Sequence, residues 1–233
     1  MGRIHDLIRT LPRNICDNAA YSNLEFVLLD YNSQDGLEQW VAGNMMQYIQ
    51  SGRLVYARTT EPKYYNMCHS RNVAFKLASG EIVCNVDADN WTGPDFARTL
   101  NKLANEQPER AVFAKSRQLI RGRIAFYKRE WEELLGGYDE DLRNYGHDDR
   151  DLVNRALLQG FRLMRFGETQ VSRIPTSNTE RVLNMEAKRW RDSEGQNKAI
   201  SKTKIESGEL KANQGRSWGS ALLMRNFSEQ IAL

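Results

Sequence analysis

The chain has 233 residues, with 33 Lys and Arg against 30 Asp and Glu, for a net charge of +3. A composition of 40 % hydrophobic and 27 % charged residues supports a buried core and excludes wholesale disorder. No apolar run reaches the roughly 20 residues of a membrane-spanning helix, the first residues lack a signal-like apolar stretch, and so small a charge does not point to nucleic acid.

Ile4, Leu7, Ile8 and Leu11 recur at helical spacing, and Pro12 is expected to close that helix. Residues 24–29 form a short, almost wholly apolar run, which predicts a strand buried on both faces. The turn formers of 30–36 follow, then an amphipathic helix over 37–50. The pattern repeats: strand 53–57, helix 68–78 stopped by Gly80, and strand 82–86 ending in Asp87-Ala88-Asp89-Asn90. Pro94 opens a helix to about 105. This alternation predicts an α/β fold with a doubly wound sheet.

Strands are next expected over 111–114 and 118–127, a short helix over 128–135, and a second helix over 148–159. Strands over 161–166 and 170–174 complete the ordered pattern. Beyond Glu180 the chain is polar, with helical stretches and few apolar anchors. Gly215-Arg216-Ser217-Trp218-Gly219 reads either as a lid with a stacking tryptophan or as a tail packed on the surface. Cys16, Cys68 and Cys84 form no CxxC pair, which fits a reducing compartment and predicts a cytoplasmic protein.

Three constellations could carry chemistry. Asp87-Ala88-Asp89 sits directly after a buried strand, where open α/β sheets bind ligands. Two carboxylates there suit a hard divalent cation, which can neutralise a diphosphate leaving group. The alternative is a polar start to a loop. Residues 139–151 carry six acids, a crowding that raises one carboxyl and suits it to act as a base. Helix capping by Asp148 and Asp151 is the competing explanation. Lys115, Arg117, Arg121, Arg123, Lys128 and Arg129 form a basic stretch that reads more readily as a solvated face than as an anion site. His5, His69 and His147 share no metal spacing, and the phosphate-loop, dinucleotide and nucleophile-elbow motifs are absent.

Together these residues resemble glycosyltransferase family 2, a GT-A family, and its galactosyltransferase-like relatives, over roughly residues 1–180. Phe26 to Gly36 is similar to the family's strand followed by Asp and a polar turn. Arg71-Asn72-Val73-Ala74, Gly80-Glu81-Ile82 and Asp87-Ala88-Asp89 are similar to its most specific block. Gly136 to Leu152 is similar to its acidic block, with Asp148 where the family has Glu.

The resemblance implies a GT-A fold, with a mixed, mainly parallel sheet flanked by helices. Residues 1–180 would form that domain, and 181–233 a helical and lid extension of it. It implies an inverting transfer of a sugar from a nucleotide-diphosphate donor, UDP-linked, to a hydroxyl of a glycan or other acceptor. Mn²⁺ or Mg²⁺ would lie at Asp89 and Asp87, and Arg3, Asp30, Asn32, Arg71 and Asp87 would lie at the donor. Asp149 would be the general base, with Asp148 orienting the acceptor.

Two departures bear on this. The family's buried first strand has no counterpart before Met1-Gly2-Arg3, which implies an open hydrophobic slot in the sheet. Ile174-Pro175-Thr176-Ser177 carries no histidine where many relatives bind metal. A catalytically silent sugar-nucleotide or glycan-binding module is the alternative function. A nucleotidyltransferase would need a Gly-rich basic phosphate loop that these residues lack.

Overall fold

The computed structural model describes residues 1–115, 122–167, 172–175, 177 and 180–233, together with the backbone but not the side chain of Arg181. Arg117 and Arg121 of the basic stretch, the first part of the strand expected over 118–127, Gln170, Val171 and Thr176 lie outside the described residues.

Helix α1 (Ile4–Asp17) leads to strand β1 (Phe26–Tyr31), then α2 (Leu37–Asn44), α3 (Met46–Gln50), β2 (Leu54–Thr59), α4 (Met67–Leu77) and β3 (Ile82–Val86). The short β4 (Asn90–Trp91) precedes α5 (Phe96–Glu106), β5 (Ala111–Ala114), β6 (Arg123–Tyr127) and α6 (Lys128–Glu133). Then come α7 (Asp148–Leu158), β7 (Arg162–Arg165), β8 (Ser172–Arg173), α8 (Trp190–Glu206), β9 (Leu222–Arg225) and β10 (Glu229–Ala232).

Among the described residues the strands form two four-stranded sheets, β1-β2-β9-β10 and β3-β6-β5-β7, and a small pair, β4-β8. Helices cover both faces, the GT-A arrangement of mixed sheets. Parallel pairing holds for β1–β2 and β5–β7, while the other pairings among the described strands are antiparallel. That is more antiparallel pairing than strand–helix alternation indicates, because β6 turns back between β3 and β5.

Three expected elements differ in extent. Helix α1 continues through Pro12 to Asp17. Proline removes one intrahelical hydrogen bond, but Leu7, Leu11 and Ile15 bury one stripe against α2, β1 and β2 and hold the helix together. The helix expected over 37–50 breaks at Met45, after the weak helix formers Gly43 and Asn44, where Met45 turns its side chain into the core. The tail folds into the β9–β10 hairpin, which joins the first sheet at β2.

The core has four clusters. Helices α1, α2 and α3 pack on one face of β1–β2, and α4 packs Val73 and Leu77 on the other, near Leu223. Helices α4, α6 and α7 cover one face of the second sheet around Trp131, Tyr138 and Phe126, and α5 covers the opposite face. Trp218 packs edge-to-face on Trp131 at 5.4 Å, with the Lys76 ammonium 4.1 Å from its ring centre. It is not in the wall of the large cavity described next.

Among the described residues the two sheets do not pair with each other: β1 bonds only to β2, and β3 only to β6. Their free edges both line a cavity of about 1390 Å³, with α1 and α4 forming its other walls. The open slot expected from the sequence would lie in this cavity. Met1 lies at its mouth beside the C-terminal end of β1, where Gly2 N donates to Ser33 Oγ at 3.3 Å and Ile4 N to Asp35 Oδ2 at 2.9 Å.

Candidate active site

The site lies at the C-terminal ends of β1 and β3, where exposed backbone and loop side chains meet an open sheet edge. Arg3, Arg71, Asp87 and Asp89 all line the large cavity there. Arg71 is at the centre. It projects from α4 and is only 5 % exposed. One guanidinium nitrogen, NH1, bonds Asp148 and, at 2.7 Å, Asp149 Oδ1; the other, NH2, bonds Asp87 Oδ1 at 3.0 Å. One arginine thus ties the loop after β3 to the first turn of α7. Burial works against its charge, but Asp149, Asp148 and Asp87 outweigh that cost and hold the guanidinium firmly protonated.

The carboxylates differ in environment. Burial pushes Asp87 up, yet Arg71 and the Asn85 amide, 3.0 Å away, prevail and hold it below the usual range. Burial pushes Asp149 up to about 7; Arg71 opposes the rise, and the charges of Asp148 and Asp87 add to it. Asp149 also accepts from Tyr138 Oη and from Gly122 N, each at 3.4 Å. Asp149 is not in the cavity wall but bonds Arg71, which is, and a buried carboxyl raised near neutrality beside a cavity suits general base catalysis.

Asp148, Asp149 and Asp151 lie in the first turn of α7, where helix N-termini favour acids, but none is the N-cap: His147 holds that position and makes no side-chain cap bond. Asp148 pairs with Arg71, and Asp151 is buried between Arg155 at 2.8 Å and Ser201 at 2.7 Å. Asp139 and Asp141 pair with Lys204 and Arg216, so the tail neutralises part of the acid block.

Asp89 pairs with Arg3 at 3.3 Å, and Arg3 also pairs with Asp6. Asp87 and Asp89 are hard oxygen donors of the kind divalent cations take, and here each is paired with an arginine, Asp87 with Arg71 and Asp89 with Arg3. Among the described residues no third His, Cys, Asp or Glu completes a ligand set with them. Asp30 and Asn32 stand apart from the cavity wall. Asp30 is fully buried and accepts from Ser33 N at 2.8 Å and Tyr56 Oη at 2.9 Å. The Asn32 side chain bonds Pro62 O and Gln34.

The basic stretch is no uniform solvated face. Arg123 is buried and donates to Trp91 O at 3.0 Å and to Ser172 O. Lys128 caps the end of α4 through Lys76 O and Ala78 O.

The sequence reading missed the residues that hold the Asp87-Ala88-Asp89 loop. Thr10 Oγ1 donates to Ala88 O at 2.6 Å, Asn14 Nδ2 to Asn90 O at 3.0 Å, and Asn18 Nδ2 to Thr92 Oγ1 at 2.9 Å. Asp6, Thr10, Asn14 and Asn18 recur every fourth residue, so they form one polar stripe along α1 beside its apolar one. That stripe was the available signal.

Gly122 packs against the same loop with φ of +73°, and an added Cβ would stand 2.2 Å from Asn90 Nδ2 and 2.8 Å from Asp87 Oδ2. Gly122→Ala is expected to lower the melting temperature by about 5–10 °C through backbone strain and contact together. Gly160→Ala is the control, since Gly160 has φ of +83° but open space around it. Equal losses in the two variants would show that Gly122 serves its backbone angle alone.

A family model described as glycosyl transferase family 2 matches residues 3–166. The chain belongs to glycosyl transferase family 2. Among solved structures, a mannosyltransferase from Pyrobaculum calidifontis, in complex with GDP-Man and Mn²⁺, is similar at 23 % identity and a TM-score of 0.59. The match covers 74 % of this chain and 54 % of the other, so the chain spans about half the length of that enzyme. The glycosyltransferase GlyE of Streptococcus pneumoniae is similar at 12 % identity and a TM-score of 0.49, over 91 % of this chain and 63 % of the other. No curated protein sequence matches. The likeness to the mannosyltransferase agrees with the GT-A fold. Among the described residues no helix is long and apolar enough to cross a membrane.

Proposed function

We propose that the chain is an inverting glycosyltransferase that moves a sugar from a nucleotide-diphosphate donor to an acceptor hydroxyl. The carrying observation is the pairing of unlike carboxylates through Arg71. Asp87 is held ionised on the cavity side, and Asp149 is raised to about 7 on the α7 side.

In this reading the donor lies at the end of the cavity, among Arg3, Arg71, Asp87 and Asp89. Asp149 takes the proton of the acceptor hydroxyl as its oxygen attacks the anomeric carbon. The bond from that carbon to the diphosphate oxygen breaks on the opposite face, and its electron pair leaves with the nucleoside diphosphate. Anomeric configuration inverts, and the proton later passes from Asp149 to water. Asp87 and Asp89 would hold Mn²⁺ or Mg²⁺, which supplies charge neutralisation of the departing diphosphate. The guanidinium of Arg71 keeps Asp149 and Asp87 in place. Asp148, also held by Arg71, orients the acceptor. Asp30 and Asn32 support the nucleotide-binding end from beneath.

Proton NMR of the first product tests the stereochemistry, with a UDP-sugar as first donor and a GDP-sugar as second. Transfer to the acceptor, or to water in its absence, should give the anomer opposite to the donor's. The donor's own anomer as first product would overturn the single-displacement mechanism.

A further inference from the structure

A second cleft, of about 520 Å³, opens beside the first, and Tyr31 and Tyr65 line both. Tyr65 stands at the boundary. Its phenol bonds Ser70 and lies near Arg71, Asp87 and Asp148, so the cleft borders the charged cluster. The Tyr31 and Tyr65 rings meet edge-to-face at 5.7 Å, and Tyr31 Oη bonds His69 Nδ1 at 2.7 Å, so this wall is fixed. Tyr64 is 42 % exposed on the rim.

The charges of the cleft cancel. Lys63, Arg143 and Arg216 face Glu140, Asp141 and Glu186. Arg216 and Asp141 are already paired at 2.6 Å. The Glu140 carboxylate is held in one orientation, because its Oε1 accepts from Asn72 Nδ2 at 2.9 Å and Gly219 N at 2.8 Å. Aromatic faces with balanced, fixed donors and acceptors suit a ligand that offers both C–H faces and many hydroxyls. They give no net attraction to an anion or a cation.

We infer that this cleft seats the acceptor, and that the acceptor end is a neutral sugar whose ring lies on Tyr64 with a hydroxyl on Glu140. The inference rests on the glycosyl-transfer reading and specifies the substrate class at that site.

Saturation-transfer NMR on the whole chain tests it without any donor. The probes are glucose, galactose, mannose and N-acetylglucosamine, with glucuronic acid and glucose 6-phosphate as charged counterparts. At least one neutral sugar should bind more strongly than either charged probe. Tyr64→Ala should weaken that binding about fivefold or more, and Glu140→Gln should weaken it similarly. The melting shift produced by nucleoside diphosphate should stay as in the parent chain for Tyr64→Ala. Stronger binding of the charged probes, undiminished neutral binding in Tyr64→Ala, or no neutral sugar bound would each overturn the assignment. Loss of the nucleotide shift in the parent chain would instead count against the glycosyl-transfer reading, and the sugar panel reports separately from it.

Discussion

Asp149→Asn is expected to lower kcat by about 10³-fold, within the range for loss of a positioned general base. Nucleotide affinity should stay within about threefold, because Asp149 reaches the donor end through Arg71 and the Gly122 backbone and does not itself line the cavity. The parent chain should show activity that rises with pH through about 7, as Asp149 loses its proton.

The same substitution carries a stability signature of opposite sign. The Asp149 carboxyl rises from an ordinary 3.8 to about 7 on folding, so the folded chain favours the protonated form. Its contribution to stability is full below the ordinary value and is lost as pH rises through about 7. At pH 8 the variant should melt on the order of 5 °C above the parent, and near pH 4 the difference should vanish. Thermal melts at the two pH values check this, and a variant less stable at pH 8 would contradict it.

Filling the slot should have the largest effect on stability. Among the described residues β1 and β3 each present an unpaired edge to the cavity, between apolar side chains of α1 and α4. Met1 lies at its mouth by the C-terminal end of β1, so a segment joined to Met1 can run parallel to β1. An extension of six Val and Ile residues with a short polar linker should pair with both edges. Burial of about 2 kcal/mol per residue exceeds the backbone ordering cost by about 0.5–1 kcal/mol each. The melting temperature should rise by about 10 °C, and nucleotide should bind more tightly as Asp87 and Arg71 are braced. The same extension with alternate prolines cannot form the ladders and should have no effect. Equal melting of the two extended chains would show that the cavity is not a strand seat.

Much of this was legible because short apolar runs bounded by turn formers admit few readings. β3 and β5 fall on the residues expected, and Asp87 meets Asp148 and Asp149 through Arg71.

Other features were hidden for specific reasons. The β9–β10 hairpin turns at Asn226 and Phe227, with φ of 47° and 66°, where glycine is the usual signal. Stacking of Phe227 on Tyr56 at 4.9 Å compensates in tertiary structure, which no local window displays. The polar stripe of α1 was masked by the apolar stripe on the same helix. Arg71 was expected at the donor, but its link to Asp149 and Asp148 depends on α4 and α7 meeting 77 residues apart.

The most direct measurement is the melting temperature with UDP, GDP, CMP and dTDP, each with and without Mn²⁺, in the parent chain and in Asp89→Ala. A ligand that binds only the folded chain raises the melting temperature by mass action. One nucleoside diphosphate should stabilise the parent in a metal-dependent way and lose that effect in Asp89→Ala. A parent chain that melts cooperatively and shifts with none of the nucleotides would contradict a donor site at Asp87 and Asp89.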